Sequence, residues 1–472
     1  MNALMTEEPD PQDSHQAGAA AAVNAAGKPP VDLLNDPLWK ALLFMALPAT
    51  IGFVFNTLYN VVDLIYARSW IGPVGTSTQD ALGGTFSLFF LQLGFGIGLY
   101  QGTTALISNA YGRADEHEAR VLTIQAMIYG MLAGLFVTIL GFLVLAPALW
   151  QQGLSGTEFR WAAGYMIPIF LGAPLIITNF ALYALLSGAG NNRAFGLSLS
   201  VAFFLNIGLN YVFMHYFGFG IVGLGIATVL IQGPLNFLYV AYEVRRLGTL
   251  RGVRLRDFSP QWPYVRQIAG QAIPASFSML IVAASVQLIN SFAGQYGDGT
   301  LGGMSTAARI EQVLLLPIIG IGIGALALIG QNQGAGQMDR VRATFWLTTR
   351  VILVFTVFAA AVLMLFPKPL ANLIASPGRE AQVAADYLFY SGFGAVFFGL
   401  LYAATSFKTG MRQPLFAAFA NLLRLILLPL IFILTLQQVT TDFIAIPWGI
   451  LAANILAGIA AYAWVARSVT RL

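Results

Sequence analysis

The chain has 472 residues, of which 57% are hydrophobic and only 9% charged, and its net charge is +4. A soluble globular chain carries about 25% charged residues, so the composition excludes a water-soluble protein and predicts an all-α polytopic membrane protein. The chain has no cysteine and three scattered histidines, which excludes disulfides, thiolate metal sites and a zinc cluster.

The first 36 residues differ in composition from the rest of the chain. They contain acidic residues, an Ala-rich run and Pro29-Pro30. They lack the basic start and the apolar core of a signal peptide. We therefore expect residues 1–36 to form a disordered cytoplasmic tail.

Twelve apolar runs follow, each close to the ~20 residues that a bilayer-spanning helix needs. They lie at 40–66, 84–109, 120–148, 160–188, 194–216, 221–244, 264–292, 302–332, 343–366, 381–407, 413–437 and 442–467. These runs predict two six-helix lobes, 37–244 and 264–472, joined by a linker at 245–263.

The basic residues predict the orientation of these spans, because cytoplasmic loops are rich in Lys and Arg. With the N-terminus in the cytoplasm, 18 of the 24 basic residues fall on the cytoplasmic side and four on the outer side. The other two, Arg309 and Arg424, fall within spans. We expect a multi-pass protein of the cell (inner) membrane with both termini cytoplasmic.

An internal repeat relates the two halves. Residues 98–114 read GLYQGTTALISNAYGRA and residues 320–336 read GIGIGALALIGQNQGAG, so that Gly98, Gly102 and Gly112 match Gly320, Gly324 and Gly334. Parallel six-span repeats place a substrate cavity between lobes near the middle of the membrane. Each single glycine is more simply explained by helix packing.

The first span carries the main ionisable candidate. Asp63 lies fifteen residues after Pro48, about 22 Å along the helix. It shares a polar stripe with Asn56, Tyr59 and Asn60 at spacings of three and four residues. A carboxyl on such a stripe faces protein or water and can exchange a proton or bind Na⁺. The alternative is a structurally paired Asp near the interface.

Other polar groups within spans are fewer. Asn206 and Asn210 share one face of the fifth span, and their amide oxygens suit a hard cation, although hydrogen bonding between helices explains them equally well. Thr228 on the sixth span is less informative. In the second half, Gln287 and Asn290 lie where Asp63 lies in the first.

The charges of the second half have no partner nearby in sequence. Arg309 and Glu311 are two residues apart, so they do not face each other on one helix. Arg424 is the only charge within the eleventh span. We interpret it as a structural or snorkelling side chain.

No motif of an enzyme is present, and no catalytic residue is assigned. Gly94, Gly96 and Gly98 lie within an apolar span and not between a strand and a helix, so they form no nucleotide fingerprint. The sequence has no phosphate-binding loop with a lysine. Uphill transport would therefore be driven by an ion gradient.

Several motifs, in order and over residues ~38–468, resemble the multidrug and toxic compound extrusion (MATE) transporters. They are Leu47-Pro48 followed by LYNVVD at 58–63, NAYGR at 109–113, SGAGN at 187–191, LNIGLNY at 205–211, GLGIAT at 223–228, and Pro317 followed by IGQNQGAG at 329–336. The resemblance implies an antiporter of two lobes that exports organic cations and similar compounds in exchange for H⁺ or Na⁺.

The resemblance also implies an ion site. In one branch of the family an acid on the first span binds the ion, and Asp63 matches it. Asn206, Asn210 and Thr228 match positions that complete the site, but Asn210 stands where that branch often has a second aspartate, which leaves Na⁺ and H⁺ open. Another branch uses acids in spans seven and ten. Here Gln287 replaces one, and span ten is apolar between Asp386 and Lys408.

We therefore expect ion coupling in the N-terminal lobe alone. The candidates for lining the substrate cavity are Asn56, Tyr59, Asn60, Tyr66, Gln287 and Asn290. The expected partners are small organic molecules and the lipid bilayer, without nucleic acid. We expect a monomer without a cofactor, and no metal beyond Na⁺ at Asp63, Asn206 and Asn210. The alternative is a flippase of lipid-linked precursors from the same superfamily.

Overall fold

The computed structural model describes residues 31–71, 76–152, 154–297 and 299–472. Residues 1–30, most of the predicted tail, lie outside this description. So do the side chains of residues 64, 68–71, 76–84, 86, 87 and 255. All statements about contacts below refer to the described residues.

The described chain holds twelve long helices, numbered in chain order. They are α1 Leu38–Ile71, α2 Thr76–Gly112, α3 Glu116–Gln151, α4 Gly156–Gly188, α5 Arg193–Tyr216, α6 Ile221–Leu247, α7 Trp262–Ala293, α8 Thr300–Gly334, α9 Met338–Leu365, α10 Arg379–Gly410, α11 Pro414–Leu436 and α12 Ala445–Val469. Within the described residues, eleven helices are long and apolar enough to cross a membrane. The remaining predicted span, 84–109, falls on α2. The prediction of an all-helical polytopic fold is confirmed.

Three of the helices contain a turn of π-helix, a feature frequent at functional sites. These turns are Val212–Tyr216 in α5, Ile231–Leu235 in α6 and Leu423–Leu427 in α11. The turn in α6 includes Pro234, which has no backbone N–H to donate. The Asn179 amide of α4 donates to the nearby carbonyls of Gln232 at 2.8 Å and Gly233 at 3.1 Å. These bonds hold α6 against α4.

The apolar interior is divided into two main clusters, and the first helix of each half reaches into the cluster of the other half. Ala41 and Met45, near the start of α1, pack in the cluster around Phe345 of the second half. Ile268 and Ala272, near the start of α7, pack in the cluster around Phe170 of the first half. The start of α1 therefore packs within the second half, and the start of α7 packs within the first half.

Glycines allow these contacts between the halves, because a residue without a side chain lets two helix backbones approach closely. Gly98 and Gly102 of α2 lie against α7, and Gly320 and Gly324 of α8 lie against α1. A Cβ atom on any of the four would lie less than 3.0 Å from a backbone atom of the facing helix. The repeat in the sequence thus marks a packing site between the halves.

A matching pair of glycine contacts lies at the C-terminal ends of α2 and α8. We call this the basic end of the bundle, because Arg113 and Arg340 lie there. Gly112 packs against the carbonyl of Gln331, and Gly334 packs against the carbonyl of Asn109. A Cβ at either glycine would overlap that carbonyl. The basic end is therefore closed.

Residues 31–36, which the sequence assigned to the tail, cross the basic end. Val31 and Leu33 are 3% and 2% exposed, and Leu33 lies beside Gly190 of the first half. The Leu33 carbonyl accepts hydrogen bonds from Asn332 at 3.1 Å and Arg340 at 3.2 Å in the second half. Burial of these two apolar side chains fixes a segment whose composition alone indicated disorder.

Gly98→Ala tests the close contact between α2 and α7. The new methyl group would overlap the backbone of Ser276, so we expect a loss of about 1–3 kcal/mol, as for other overpacked sites. The measurement is the unfolding temperature of the purified protein in detergent. Gly270→Ala is the control, because nothing lies within 4 Å of a Cβ at that α7 position. Equal unfolding temperatures for the two variants would contradict the packing argument.

Candidate functional site

A buried carboxylate lies between four helices of the first half. Asp63 of α1 is 4% exposed. Its Oδ1 accepts hydrogen bonds from the amides of Asn206 at 2.9 Å and Asn210 at 2.7 Å, both on α5. Its Oδ2 accepts one from the Tyr165 hydroxyl of α4 at 3.2 Å. Thr228 of α6 also lies close to the carboxylate.

Small residues bring these helices together. Gly196 near the start of α5 lies against the backbone of Pro48, so α1 and α5 are in close contact about four turns of α1 before Asp63. Gly225 of α6 lies against the backbone of Tyr165 in the same way. Asn206 and Asn210 are four residues apart and therefore point to the same side of α5, toward α1.

Two further hydrogen bonds join polar groups of the site. Asn210 donates to Asn206 Oδ1 at 3.1 Å, and Tyr59 donates to Thr228 Oγ1 at 3.0 Å. Asn206, Asn210 and Thr228 are at most 1% exposed. Asn210 Oδ1 is a buried acceptor without a hydrogen-bond donor in the described structure.

The carboxylate of Asp63 accepts hydrogen bonds from neutral donors only. None of the ion pairs among the described residues includes it. A buried carboxylate without a counter-charge attracts a cation, which can be a proton or a metal ion. The surrounding oxygen atoms, from carboxylate, amide and hydroxyl groups, are ligands that hard cations such as Na⁺ prefer.

The structure brings together the ion-site residues that the sequence singled out. Asp63, Asn206 and Asn210 are in direct contact, and Thr228 lies close to Asp63. Tyr59 was predicted to line the cavity, but it is 2% exposed and is hydrogen-bonded to Thr228 within the candidate site. Sequence reasoning missed Tyr165. It is one of 17 tyrosines, and only its hydrogen bond from α4 to Asp63 distinguishes it.

The other cavity candidates are less buried. Asn60 is exposed, and its amide donates to the Asn56 carbonyl of its own helix at 2.9 Å. The Tyr66 hydroxyl donates to the Ile207 carbonyl at 2.9 Å, which links α1 to α5. Gln287 of α7 is exposed, and Asn290 is partly buried. Asn60 and Gln287 are thus not enclosed by the described residues.

The sequence profile of the MatE family matches residues 48–212 and 274–435, one segment in each half. The chain belongs to the MATE family of transporters. Enzymatic function is therefore not expected from the family, and the fold is that of a multi-pass membrane transporter.

Individual relatives extend over most of the chain. The chain is 25% identical over 412 residues to the FAD transporter of Shewanella oneidensis, with 84% of this chain and 88% of that protein covered. It is 24% identical over 344 residues to the probable multidrug resistance protein YoeA of Bacillus subtilis, with 70% and 73% covered. It is 23% identical over 437 residues to the multidrug export protein MepA of Staphylococcus aureus, with 90% and 93% covered.

Solved structures share the fold. An outward-facing structure of a multidrug resistance MATE transporter has a TM-score of 0.85 at 23% identity, covering 93% of this chain and 97% of that one. A transporter from Pyrococcus furiosus, described as having a binding pocket of reverse polarity, also has a TM-score of 0.85, at 24% identity, with the same two shares covered.

Asn206→Ala tests whether the amides stabilise an ionised Asp63. The variant removes one donor to a buried charge, so we expect a loss of about 1–3 kcal/mol. Because the amide bonds favour the ionised carboxyl, the loss should be largest at alkaline pH and shrink as the pH falls and Asp63 is protonated. The measurement is the unfolding temperature as a function of pH.

Asn421→Ala is the control for this series. Asn421 is an asparagine within α11 whose amide donates to Ser278 at 3.4 Å, and none of its described hydrogen bonds reaches a carboxylate. The change in unfolding temperature that it causes should not depend on pH. If the loss of stability in Asn206→Ala is also independent of pH, the amide does not act on the charge of Asp63.

Proposed function

We propose that this protein is a secondary active antiporter that exports organic compounds, often cationic and aromatic, in exchange for H⁺ or Na⁺ by alternating access. The observation that carries the proposal is Asp63, a buried carboxylate that is surrounded by neutral oxygen and amide groups and lacks a counter-charge. Binding of a cation, which is released again during transport, would stabilise a carboxylate in such a site.

The orphan acceptor of Asn210 supports cation exchange at Asp63. Its amide now donates to the carboxylate through Nδ2, while Oδ1 has no donor. A half-turn of the amide would exchange the two atoms. Oδ1 would then face Asp63 and could accept a hydrogen bond from the protonated carboxyl or coordinate Na⁺. Binding of the cation would thus satisfy an acceptor that is otherwise buried without a partner.

Helix α1 connects the proposed ion site with a proposed contact to the substrate. It carries the buried Asp63 and, three residues earlier on the same side of the helix, the exposed Asn60. A cation that changes the hydrogen bonds of Asp63 therefore acts on the helix that presents Asn60. The ion can shift the equilibrium between two states only by its difference in affinity for them, and the substrate shifts the same equilibrium in the opposite direction.

The proposed arrangement has two lobes, 37–244 and 264–472, that move relative to each other in the cell (inner) membrane, with both termini in the cytoplasm. The names of YoeA and MepA, which refer to multidrug resistance and export, support organic compounds as substrates. The exposed Asn60 and Gln287 are the residues that we propose to contact them.

Asp63→Asn tests the coupling. The variant keeps the shape of the side chain but cannot carry the charge or take up the transported cation. We expect efflux of a fluorescent organic cation from proteoliposomes, driven separately by a pH gradient or a Na⁺ gradient, to fall at least about tenfold, because the differential binding of the ion is lost. The gradient that drives efflux in the unchanged protein identifies the coupling ion.

Asp386→Asn is the matched control, because Asp386 is a partly buried carboxylate on α10 with no described bond to the Asp63 site. It should retain efflux. Unchanged gradient-driven efflux in Asp63→Asn would disprove coupling at Asp63. If neither gradient moves an organic cation in the unchanged protein, export of organic cations is wrong and flipping of lipid-linked precursors becomes the function to test.

A further inference from the structure

A groove with a volume of about 260 Å³ lies between the start of α1 and the start of α5, at the basic end of the bundle. We call it the α1–α5 groove. Arg193, the first residue of α5, lines one side. Helix α1 lines the other side with three pairs of residues at intervals of four, which are Trp39 and Lys40, Leu43 and Phe44, and Leu47 and Pro48. The groove is thus mainly apolar, with two cationic side chains.

The α1 residues form one stripe along the helix, because residues three and four apart share a helix face. The stripe is about 12 Å long at 1.5 Å per residue. Trp39, Leu43 and Leu47 are 63%, 54% and 50% exposed, on a helix that is long and apolar enough to cross a membrane. Tryptophan is typical of the layer where a membrane meets water. The stripe therefore runs from that layer at Trp39 toward the lipid chains at Leu47.

The two cations lie at the rim of the groove. The guanidinium carbon of Arg193 lies 4.3 Å from the ring centre of Phe44, a contact that holds the side chain over the groove. Within the described residues, no ion pair includes Arg193. The Lys40 ammonium lies 3.5 Å from a carboxylate oxygen of Asp36, but both side chains are partly exposed, and such surface pairs are weak. The rim therefore keeps a net positive charge.

A phosphate ester with an apolar tail matches both parts of the groove. The guanidinium of arginine forms charge-assisted hydrogen bonds with phosphate oxygens, and the ammonium of lysine binds phosphate as a point charge. Basic pockets between membrane helices bind anionic lipid headgroups for this reason. A headgroup that also carries a cation, such as choline, would cancel much of the attraction to a positive rim.

We propose that the α1–α5 groove binds one anionic phospholipid, whose phosphate lies at Arg193 and Lys40 and whose acyl chain lies along Leu43 and Leu47. The lipid would join the two helices that carry Asp63 and its amide donors. This site is separate from the proposed antiport, and the binding needs no ion gradient and no organic substrate.

The second half lacks the counterpart of Arg193. Helix α11 corresponds to α5, because each is the fifth long helix of its half, and α11 begins with Pro414. The one charged residue of α11, Arg424, lies further along the helix, where it donates to Asn454 of α12 at 2.9 Å and its charge interacts with that of Glu311. The repeat thus supplies similar helices, and the cation at the helix start belongs to the first half alone.

Dioleoyl phosphatidylglycerol and dioleoyl phosphatidylcholine are matched probes, because they share their chains and phosphate and differ in net charge. The measurement is the unfolding temperature of the purified full chain in detergent micelles as the mole fraction of either lipid is raised, since a bound lipid stabilises the folded state. We expect phosphatidylglycerol to reach half of its effect at a mole fraction about fivefold lower. Glycerol 3-phosphate, which lacks the chains, should have no effect.

Three variants assign the preference to the groove. Arg193→Gln should abolish the preference for phosphatidylglycerol, and Arg193→Lys should keep part of it. Arg266→Gln is the matched control, because Arg266 is an exposed arginine near the start of α7, beside the exposed Trp262 and outside the groove. It should keep the full preference. Unfolding temperatures without lipid identify a variant that fails to fold, and Lys40→Gln, which should weaken the preference, then replaces Arg193→Gln.

The proposal is overturned if Arg193→Gln keeps the full preference, or if Arg266→Gln loses it to the same extent. An equal effect of glycerol 3-phosphate would assign the cations to free phosphate and would also overturn it. So would equal effects of the two lipids on the unchanged protein. In that case residues 1–30, which carry four carboxylates between positions 7 and 13, become the occupant of the groove to test.

Discussion

The structure depends on how a carboxylate is accommodated inside an apolar helix bundle. Asp63 has no basic partner, so its charge is stabilised by hydrogen bonds from α4 and α5. On the α5 side, the contact of Gly196 with Pro48 lets that helix lie close to α1. Other hydrogen bonds between helices of the first half, such as those from Asn179 to Gln232 and from Asn192 to Met45, join neutral groups, so Asp63 is where a charge is accommodated.

The two halves share a fold but treat charge in different ways. In the first half Asp63 is enclosed, and its three donors leave one orphan oxygen on Asn210. In the second half Glu311 and Arg424 keep part of their surface exposed and form no direct ion pair with each other. Repetition of the fold therefore does not impose the same arrangement of charge on both halves.

Much of this architecture could be predicted from the sequence, because long apolar runs allow little but membrane helices. The polar stripe that ends at Asp63 and the spacing of Asn206 and Asn210 also singled out residues that the structure brings into contact, since residues four apart share a helix face. Spacing within one helix cannot reveal contacts between helices. For that reason Tyr165 was missed, and Tyr59 was placed in the cavity when it is bound to Thr228.

The contacts of the second half also could not be predicted from spacing within one helix. Glu311, Arg424 and Asn454 lie on three helices and are separated by more than a hundred residues at the widest. Each is unremarkable in sequence, and their relation appears only when α8, α11 and α12 pack. Residues 31–36 are a similar case, because their composition indicated disorder while Val31 and Leu33 find an apolar site at the basic end.

The closed basic end constrains how the halves can move. Gly112 packs on Gln331 and Gly334 packs on Asn109, so the two contacts are related by the repeat and join the same pair of helices. Separation of α2 from α8 must break both contacts together. Close-packed interfaces of this kind are bistable and do not deform continuously. Opening at this end should therefore be cooperative. A cation at Asp63 can act on it through α1, which packs against α8 at Gly320 and Gly324, and through α4, whose Gly188 carbonyl accepts a hydrogen bond from Gln331 of α8.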